Sequence, residues 1–284
     1  MGCLERGMLY PSSSTIAVYA AREAPPTLHR SALTLGIGAV AAKHLVEVTE
    51  VTSSDQMQDV LELRRTCYLQ AGKIGPEVSA AEMAQCDDDR ARVFSLSVRG
   101  RIVGTFLLRV PAEDDVLETI DRPLGGWPAS FPAKSRTIEV ASLCIRRGFR
   151  RTDALKRVFE TVHRMLVEHG RSHILIAADE RLAKKYRFIG FAATGKSYLK
   201  ASGNHARLHV LISNQRPLGV YGLHADPLRW NMFLRDVTEA LLAEGKLRHV
   251  GVVALIFAIY RKFGWLSRAC ENLLAPKLAK GNAR

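Results

Sequence analysis

The sequence of 284 residues lacks the patterns by which cysteines bind metal or form a disulfide framework. Its five cysteines are scattered at positions 3, 67, 86, 144 and 270, and no two of them form a CxxC pair. An odd, scattered set supports neither a thiolate zinc site nor a disulfide-bonded secreted scaffold. The cysteines therefore favour a reducing cytoplasm.

Several catalytic motifs are also missing. The sequence has no HExxH motif, no P-loop and no recognisable Ser-His-Asp arrangement. The histidines at 163, 173, 205 and 209 show no metal-ligand spacing with each other or with the cysteines, so we interpret them as structural. The sequence thus predicts no metal ion and no redox cofactor.

Apolar segments long enough to cross a membrane are missing as well. Val250–Tyr260 is apolar nearly all round, but it is roughly half of what a membrane span requires. Ser31–Ala42 could pass for the core of a signal peptide, yet it begins about 30 residues into the chain, later than such signals do. We favour an irregular arm over residues 1–45 and keep the signal peptide as the alternative.

Acidic residues are scarce relative to basic ones. Lys and Arg number 41 and Asp and Glu 28, which gives a net charge of +13 at pH 7. The excess is local: residues 141–200 hold fourteen basic and five acidic side chains, and residues 246–284 hold eight and one, for net charges of +9 and +7. Such surfaces predict an acidic partner, which can be nucleic acid, an anionic membrane or an acidic protein.

The remaining composition is that of a globular protein, with 47% hydrophobic and 24% charged residues. The predicted elements, in order, are a helix N-capped by Ser54, the strands Arg92–Val98, Arg101–Val110 and Thr137–Ile145, the helix Asp153–Glu168, the strand His173–Ala177, the helix Asp179–Arg187 and the strand Arg207–Ser213. This order predicts an α/β (α+β) fold, in which a mixed sheet is flanked by helices and a crossover helix follows Ile145.

The sequence from Asp226 onward predicts helices only. Asp226-Pro227 is typical of a helix start and Gly245 of a helix end, and Val250–Tyr260 and Leu266–Leu278 predict two further helices. We therefore divide the chain into an arm over 1–45, an α/β domain over 46–215 and a helical C-terminal extension over 216–284.

Glu139 is the first candidate for catalysis. It is an acid inside the apolar strand Thr137–Ile145, where an ionised carboxylate is costly without a partner. Such a group suits a base that takes a proton from an attacking ammonium, directly or through water. The alternative is a structural glutamate paired with a neighbouring basic side chain.

Four arginines follow this strand, at 146, 147, 150 and 151, and we call residues 146–151 the arginine turn. The sequence predicts that this turn opens a helix, where cations oppose the helix dipole. Binding a phosphate or an acidic carrier would explain the arrangement, and a solvated basic loop is the alternative.

The strand, the arginine turn and the next helix resemble the fourth strand and following helix of the Gcn5-related N-acyltransferase fold. Tyr186-Arg-Phe-Ile-Gly-Phe191 resembles that fold's Tyr-x-x-x-Gly-Phe segment. The resemblance implies a splayed strand that offers backbone groups to pantetheine and a helix start that receives phosphate. The phosphate loop departs from the usual pattern, because Phe149 and Arg150 follow Gly148 where a second small residue is expected.

Within this fold, four segments between residues 55 and 195 resemble N-acyl amino acid synthases of the FeeM type and, more distantly, LuxI-type autoinducer synthases. They are Arg65-Thr-Cys-Tyr68 with Gly72 and Ile74, Asp87-Asp-Asp89, Gly100–Thr105 and Ile138–Ile145. By this resemblance the substrate-binding residues are Arg65, Asp87, Asp89, Arg109, Ser142, Leu143 and Ile145. Leu107 and Ser142 stand where these families have arginines, and Arg109 can replace the first because it lies two residues on, on the same strand face.

The resemblance implies an enzyme that moves a long-chain acyl group from acyl carrier protein to the α-amine of an amino acid. Glu139 would be the base, and backbone amides of residues 142–145 would polarise the thioester carbonyl. Arg146, Arg147, Arg150 and Arg151 would bind the carrier and its phosphopantetheine, so the enzyme would need no cofactor of its own.

Two alternatives remain: a coenzyme A-dependent N-acetyltransferase of the same fold, and a non-catalytic basic module that binds nucleic acid or membrane. We expect no nucleic-acid partner, because Phe149 is the single aromatic residue in the arginine turn. The basic and apolar residues 246–284 predict either peripheral contact with the inner membrane face or a cover over the acyl tunnel.

Overall fold

The computed structural model describes residues 46–84, 91–150, 152–199, 207–216, 219–221 and 230–262. Several predicted features lie outside these ranges: the arm over 1–45, the acidic residues Asp87 and Asp89, Arg151, His205, the helix start at Asp226 and the helix Leu266–Leu278. They remain predictions.

The described residues form one seven-stranded mixed sheet. Its strands are β1 Glu47–Glu50, β2 Arg92–Val98, β3 Arg101–Arg109, β4 Thr137–Ile145, β5 His173–Asp179, β6 Ala192–Leu199 and β7 Arg207–Asn214. Their order across the sheet is β1-β2-β3-β4-β5-β7-β6, and β4 and β5 are the parallel pair in an otherwise antiparallel sheet. The predicted mixed sheet is confirmed, and β1 and β6 are additional strands that the sequence analysis missed.

The hairpin between β2 and β3 turns where the sequence predicts it. Arg99 and Gly100 both have positive φ, 52° and 74°. A two-residue turn of this kind matches the right-handed twist of the two strands.

Six α-helices occur within the described ranges. They are α1 Ser54–Gln70, α2 Asp121–Leu124, α3 Ala154–Glu168, α4 Glu180–Phe188, α5 Arg235–Ala243 and α6 over 252–262. The prediction that Ser54 is the N-cap of α1 is wrong by one residue. Ser53 is the cap, because its Oγ accepts a hydrogen bond from the Gln56 backbone N at 3.3 Å while Gln56 Oε1 accepts one from the Ser53 backbone N.

Strand β4 is buried on both faces and divides the core into two parts. Ile138, Val140, Leu143 and Ile145 pack on the face covered by α3 and α4. The residues between them point to the opposite face, which is covered by α1 and by the segment over 110–136 that joins β3 to β4, here called the connecting segment. Glu139 belongs to this second face because side chains alternate along a strand.

The described part of the C-terminal extension contains the helices α5 and α6, as predicted, and α5 packs against α3. A π-helical turn, Trp230–Leu234, leads into α5, and the buried Trp230 ring contacts Phe257 and Tyr260. Gly245, with φ of 72°, follows the end of α5 and terminates it as predicted. Among the described helices, none is long and apolar enough to cross a membrane.

Candidate active site

A β-bulge interrupts β4. The registered pairs with β3 skip from Ala141 to Cys144, so Ser142 and Leu143 together face one residue of β3. Ser142 is fully buried and has φ of +52°, a conformation that is uncommon outside glycine. Strained backbone of this kind persists only where the surrounding structure enforces it, and it clusters at functional sites.

Beyond Glu139, β4 and β5 separate. Their registered pairs run only from Thr137–His173 to Glu139–Leu175, whereas β5 stays paired with β7 as far as Asp179. The later part of β4 therefore faces a gap, which is the splay that the resemblance implies. The side chains of Leu143 and Ile145 lie in the core, so these two residues can contact a substrate in the gap only through their backbone.

Glu139 lies where the gap begins, and its side chain is 1% exposed. Its Oε2 is 3.0 Å from Nη1 of Arg109, which stands directly opposite on β3, and its Oε1 accepts a hydrogen bond from the Thr119 hydroxyl. The opposite charge and the hydroxyl offset the cost of burying a carboxylate. The basic partner that the structural alternative requires is thus present, and the carboxylate also lies at the start of the gap, where a catalytic base could reach a substrate.

Arg109 and Leu107 have different surroundings although they share a strand face. Leu107 fills an apolar cluster with Val60, Val93 and Ala141, so its position is part of the core. Arg109 reaches Glu139 instead, and any substrate group that approaches this guanidinium must share it with the Glu139 carboxylate.

The connecting segment supplies polar residues that the sequence analysis did not identify. Besides Thr119, it contains a buried ion pair in which Lys134 Nζ lies 2.8 Å from Asp121 Oδ2. The same Asp121 oxygen accepts a hydrogen bond from the Leu117 backbone N at 2.8 Å, and Lys134 also donates to the Asp115 carbonyl at 2.6 Å. The one available hint was the length of a segment without a long helix or strand, which often marks a functional loop.

The arginine turn lies at the far end of β4. Arg146 Nε donates to the Ile102 carbonyl at 3.2 Å and Arg150 Nε to the Ile145 carbonyl at 2.9 Å, so both side chains are tied to strand ends. Arg147 is exposed. Three cationic side chains therefore gather where β4 ends.

The prediction that the arginine turn opens the helix is corrected by the structure. Residues Arg147–Phe149 form a 3-10 turn, and α3 begins only at Ala154. Arg146, Arg147 and Arg150 consequently lie before the helix rather than on its first turn, where their charges would oppose the helix dipole directly.

Helix α4 adds basic residues to the same region. Burial lowers the pKa of Lys185, and the positive charges of Arg181 and Arg150 lower it further, while Asp179 acts in the opposite direction. A half-buried ammonium near two guanidinium groups is a setting that an anion would stabilise. The sequence shows the basic charge of residues 141–200, but nothing in its pattern distinguishes Lys185.

Arg65 was predicted to bind substrate, and the structure gives it a different set of contacts. Its Nε donates to the Val78 carbonyl at 2.6 Å and its Nη2 to the Pro76 carbonyl at 2.9 Å. These bonds hold the loop after α1 in place. Contact with substrate is therefore still only implied by the resemblance.

Two cysteines pack against each other behind the bulge. Cys67 of α1 and Cys144 of β4 are buried in one cluster and are not disulfide-bonded. A hydrogen bond with Cys144 raises the pKa of the Cys67 thiol, and burial raises it further. The same hydrogen bond lowers the pKa of the Cys144 thiol, while burial acts in the opposite direction. A thiol with a raised pKa is a poor nucleophile, so Cys67 is not a candidate for covalent catalysis.

The described histidines fit the structural interpretation. Burial lowers the pKa of His163 on α3 to about 4, which keeps its ring neutral in the core. His173 contacts the neighbouring Ser172 hydroxyl at 2.8 Å, and burial lowers its pKa as well. No group of three or more potential metal ligands occurs among the residues that the structure describes.

Tyr186 contributes a further polar group to the core beside β4. It belongs to the aromatic cluster with Phe159 and Phe191 on the α3 side, and burial raises the pKa of its hydroxyl. Within the described residues this hydroxyl has no hydrogen-bond partner. A buried, unpartnered hydroxyl is costly, and a ligand that accepts a hydrogen bond from it would offset this cost.

Comparison with known proteins adds an independent result. Residues 59–209 match the model of the family described as the N-acyl amino acid synthase FeeM. No curated protein sequence gives a significant match.

Several solved structures are similar to the chain at low sequence identity. The structure of FeeM, an N-acyl amino acid synthase from uncultured soil microbes, is 14% identical over 60% of this chain and 90% of that chain, with a TM-score of 0.48. The AHL synthase LasI is 14% identical over 60% and 88%, with a TM-score of 0.47. An acetyltransferase of the GNAT family from Streptococcus pneumoniae is 13% identical over 60% and 98%, with a TM-score of 0.41.

The family match extends over more than half of the chain, from α1 to the start of β7. It includes Glu139, the bulge at Ser142 and the arginine turn, so the features described above lie inside the matched region. A non-catalytic basic module, which charge alone left open, does not account for this match. The chain belongs to the FeeM family of N-acyl amino acid synthases and is an acyltransferase.

Proposed function

We propose that the enzyme transfers a long-chain acyl group from the phosphopantetheine thioester of acyl carrier protein to the α-amine of an amino acid in the cytoplasm. The observation that carries the proposal is the position of the buried Glu139 carboxylate at the start of the β4–β5 gap, with the arginine turn at its other end. An extended thioester lying along β4 would bring its carbonyl near Glu139 and its phosphate near the arginines.

In the chemical step, the amine nitrogen attacks the thioester carbonyl carbon, a C–N bond forms and the C–S bond breaks. Glu139 takes the proton from the attacking ammonium, directly or through water. Backbone amides of residues 142–145 stabilise the oxyanion. The leaving thiolate takes up one proton, which balances the proton that Glu139 takes from the ammonium.

The carrier would dock through charge. Acyl carrier protein is acidic, and residues 141–200 carry the net charge of +9 counted above. The phosphate of the prosthetic group would bind among Arg147, Arg150 and Lys185, since these cations gather at the end of the gap. The donor supplies the phosphopantetheine, so the enzyme would need neither a cofactor nor a metal ion.

The test is a reconstituted reaction with two donors. Purified protein is incubated with a mixture of amino acids and either long-chain acyl carrier protein or short-chain acyl-coenzyme A, and products are identified by mass spectrometry. We expect an N-acyl amino acid from the carrier-bound donor, none from the Glu139→Gln variant, and the same product in lipid extracts of cells that overproduce the enzyme. Turnover of acetyl-coenzyme A alone would favour the alternative N-acetyltransferase.

We further propose peripheral membrane contact through α6 and the residues around it. Four large apolar side chains are exposed there, Val250 (77%), Val252 (72%), Leu255 (61%) and Ile259 (44%), and the sequence over 246–262 is basic without any acidic residue. An amphiphilic product would pass readily into lipid at such a surface.

Flotation with anionic liposomes tests the membrane contact. We expect the protein to co-float at low salt, less so at high salt, and not after Leu255→Glu with Ile259→Glu. A matched control changes Val116 and Leu199, which are exposed to a similar degree elsewhere (61% and 59%), to glutamate. If full-length protein stays at the bottom of the gradient at low salt, α6 does not bind membrane.

A further inference from the structure

Thr119 contacts Glu139 although it lies 20 residues earlier in the chain. Its hydroxyl donates to Oε1 of Glu139, and Arg109 contacts the other carboxylate oxygen. Thr119 is 3% exposed, so water does not compete for this hydrogen bond at an open surface. The two donors approach the carboxylate from different elements, one from β3 and one from the connecting segment.

The position of Thr119 is set by a compact turn. The backbone N of Asp121 donates to the Leu117 carbonyl at 2.7 Å, and the Leu117 backbone N donates to Oδ2 of Asp121 at 2.8 Å. Leu117 and Ile120 are buried against β5, β6 and β7 in a separate apolar cluster. Thr119 thus lies inside a turn that is closed at both ends and anchored on the sheet.

A buried ion pair joins this turn to the end of the connecting segment. Lys134 Nζ lies 2.8 Å from Asp121 Oδ2, with side-chain exposures of 10% and 7%. Lys134 also donates to the Asp115 carbonyl, and its own carbonyl accepts a hydrogen bond from the Thr137 hydroxyl at the start of β4. Charges removed from water in this way bring a desolvation cost, so the pair specifies one arrangement of the segment more than it adds stability.

We propose that Thr119 is a positioning residue for Glu139 and that the buried Asp121–Lys134 ion pair holds it there. The inference rests on the proposed role of Glu139 as the base. The Thr119 hydroxyl and Arg109 fix the plane of the carboxylate, and the hydroxyl stabilises its ionised form, which is the form that accepts a proton from the acceptor ammonium.

The experiment compares the pH dependence of kcat/KM for the acceptor in the full-length enzyme and its variants. In Thr119→Val, the acidic limb of the profile should move to higher pH, with a loss of about tenfold on that limb, because a hydrogen bond to a charged group is lost. Thr119→Ser keeps the hydroxyl and should restore the original limb.

Thr105→Val is the matched control. Thr105 is equally buried on β3, and its hydroxyl donates to the Phe94 carbonyl at 2.8 Å rather than to a carboxylate. Thr105→Val should lower the melting temperature without moving the acidic limb of the kcat/KM profile. A Thr119→Val profile that superimposes on the unmodified one would overturn the positioning role.

The ion pair is tested in the same assay with Asp121→Asn. We expect a lower melting temperature, because Lys134 loses its counter-charge, together with a shift of the acidic limb in the same direction as in Thr119→Val. A lower melting temperature with an unchanged profile would remove the ion pair from the proposal. Full activity in Glu139→Gln would instead refute the proposed base, so the two failures are distinguishable.

Discussion

The two ends of strand β4 carry charges of opposite sign in different surroundings: a buried carboxylate at one end and partly exposed guanidinium groups at the other. At Glu139 the charge is buried, and each carboxylate oxygen has one partner: Arg109 contacts Oε2 and Thr119 contacts Oε1. At the arginine turn the side chains of Arg146, Arg147 and Arg150 are at least partly exposed, and the Nε atoms of Arg146 and Arg150 donate to backbone carbonyls. One end is organised for a proton transfer at a fixed place, and the other for attracting an anion from solution.

This difference has a consequence for ionic strength. A buried pair at 3.0 Å is hardly screened by salt, whereas charges at the protein surface are screened over about 8 Å at physiological ionic strength. Changes near Glu139 should therefore alter turnover at every salt concentration. Changes in the arginine turn should alter the encounter with the carrier mainly at low salt.

The largest effect is expected from Glu139→Gln. Loss of a general base should lower kcat by roughly 10²–10⁴, independently of salt. Stability should fall as well, because Arg109 loses its counter-charge. Steady-state assays below the melting temperature measure the first effect, and thermal unfolding measures the second.

Glu160→Gln is the control for this variant. Glu160 is buried on α3 and pairs with Arg157 at 2.9 Å, away from the β4–β5 gap. The Glu160→Gln enzyme should lose some stability and keep the kcat of the unmodified enzyme. A Glu139→Gln enzyme with unimpaired kcat would make Glu139 structural, and the comparison between the two ends would fail.

A second effect concerns the pH dependence of folding, which must be separated from that of turnover. The pKa of His163 is lowered to about 4 in the folded protein from an ordinary value of 6.5, so between these values the unfolded chain binds more protons. Stability should be complete above pH 6.5 and fall by up to about 3 kcal/mol as the pH decreases toward 4.

Thermal unfolding from pH 7.5 to pH 4 measures this loss. In His163→Leu, stability should depend less steeply on pH. The control is His169→Gln, which changes the exposed histidine directly after the last residue of α3 and should leave the pH dependence of stability unchanged. An equally steep curve in His163→Leu would assign the acid sensitivity to other groups.

Charge reversal of the arginine turn should have a smaller and salt-dependent effect. Arg147→Glu with Arg150→Glu should raise the apparent KM for acyl carrier protein about tenfold at low salt, and much less at high salt, because encounter is steered by charge. Steady-state kinetics at several ionic strengths provide the measurement.

The matched control reverses Arg122 and Arg136, two exposed arginines of the connecting segment that lie outside residues 141–200. Arg136 directly precedes β4, at the end opposite to the arginine turn, and the same change in net charge there should leave the KM unaltered. An unchanged KM for the carrier after reversal of Arg147 and Arg150 at low salt would place the docking surface elsewhere.

The smallest effect is expected from Gly148→Ala. A methyl group at this position would meet no atom within 4 Å, so the fold itself does not require the glycine. If phosphate approaches the backbone of the turn, the added methyl should weaken use of the donor by a few-fold, roughly 1 kcal/mol or less, with an unchanged melting temperature. Equal kcat/KM for the donor in both proteins would exclude such an approach at Gly148.

The strands found from sequence and the strands missed differ in burial. β2 and β4 have apolar residues that match their predicted bounds, and β4 is buried throughout. β6 carries mostly exposed small or polar residues around Gly195, and β1 has four residues at the sheet edge, so neither offers a strong pattern. They are strands because they pair with β2 and β7, and the pattern of residues along a short segment does not predict such pairing.

Residue chemistry on β4 was sufficient to select Glu139, to locate the arginine turn and to predict a mixed sheet with a crossover helix. Those features depend on which residue types stand near each other along one strand and its loop. The sequence by itself therefore determined the candidate base, the basic surface and the class of fold.

Only the tertiary structure decided what surrounds these residues. Arg109 contacts Glu139 because the register of β3 and β4 places them opposite each other, and the bulge at Ser142 arises from a one-residue mismatch with β3. Thr119 contacts Glu139 from a segment that has no periodic pattern. Each of these contacts joins residues 20 or more positions apart or depends on strand register. Their formation depends on the closure of the whole sheet and the burial of its two faces, because local propensities carry no information about such distant partners.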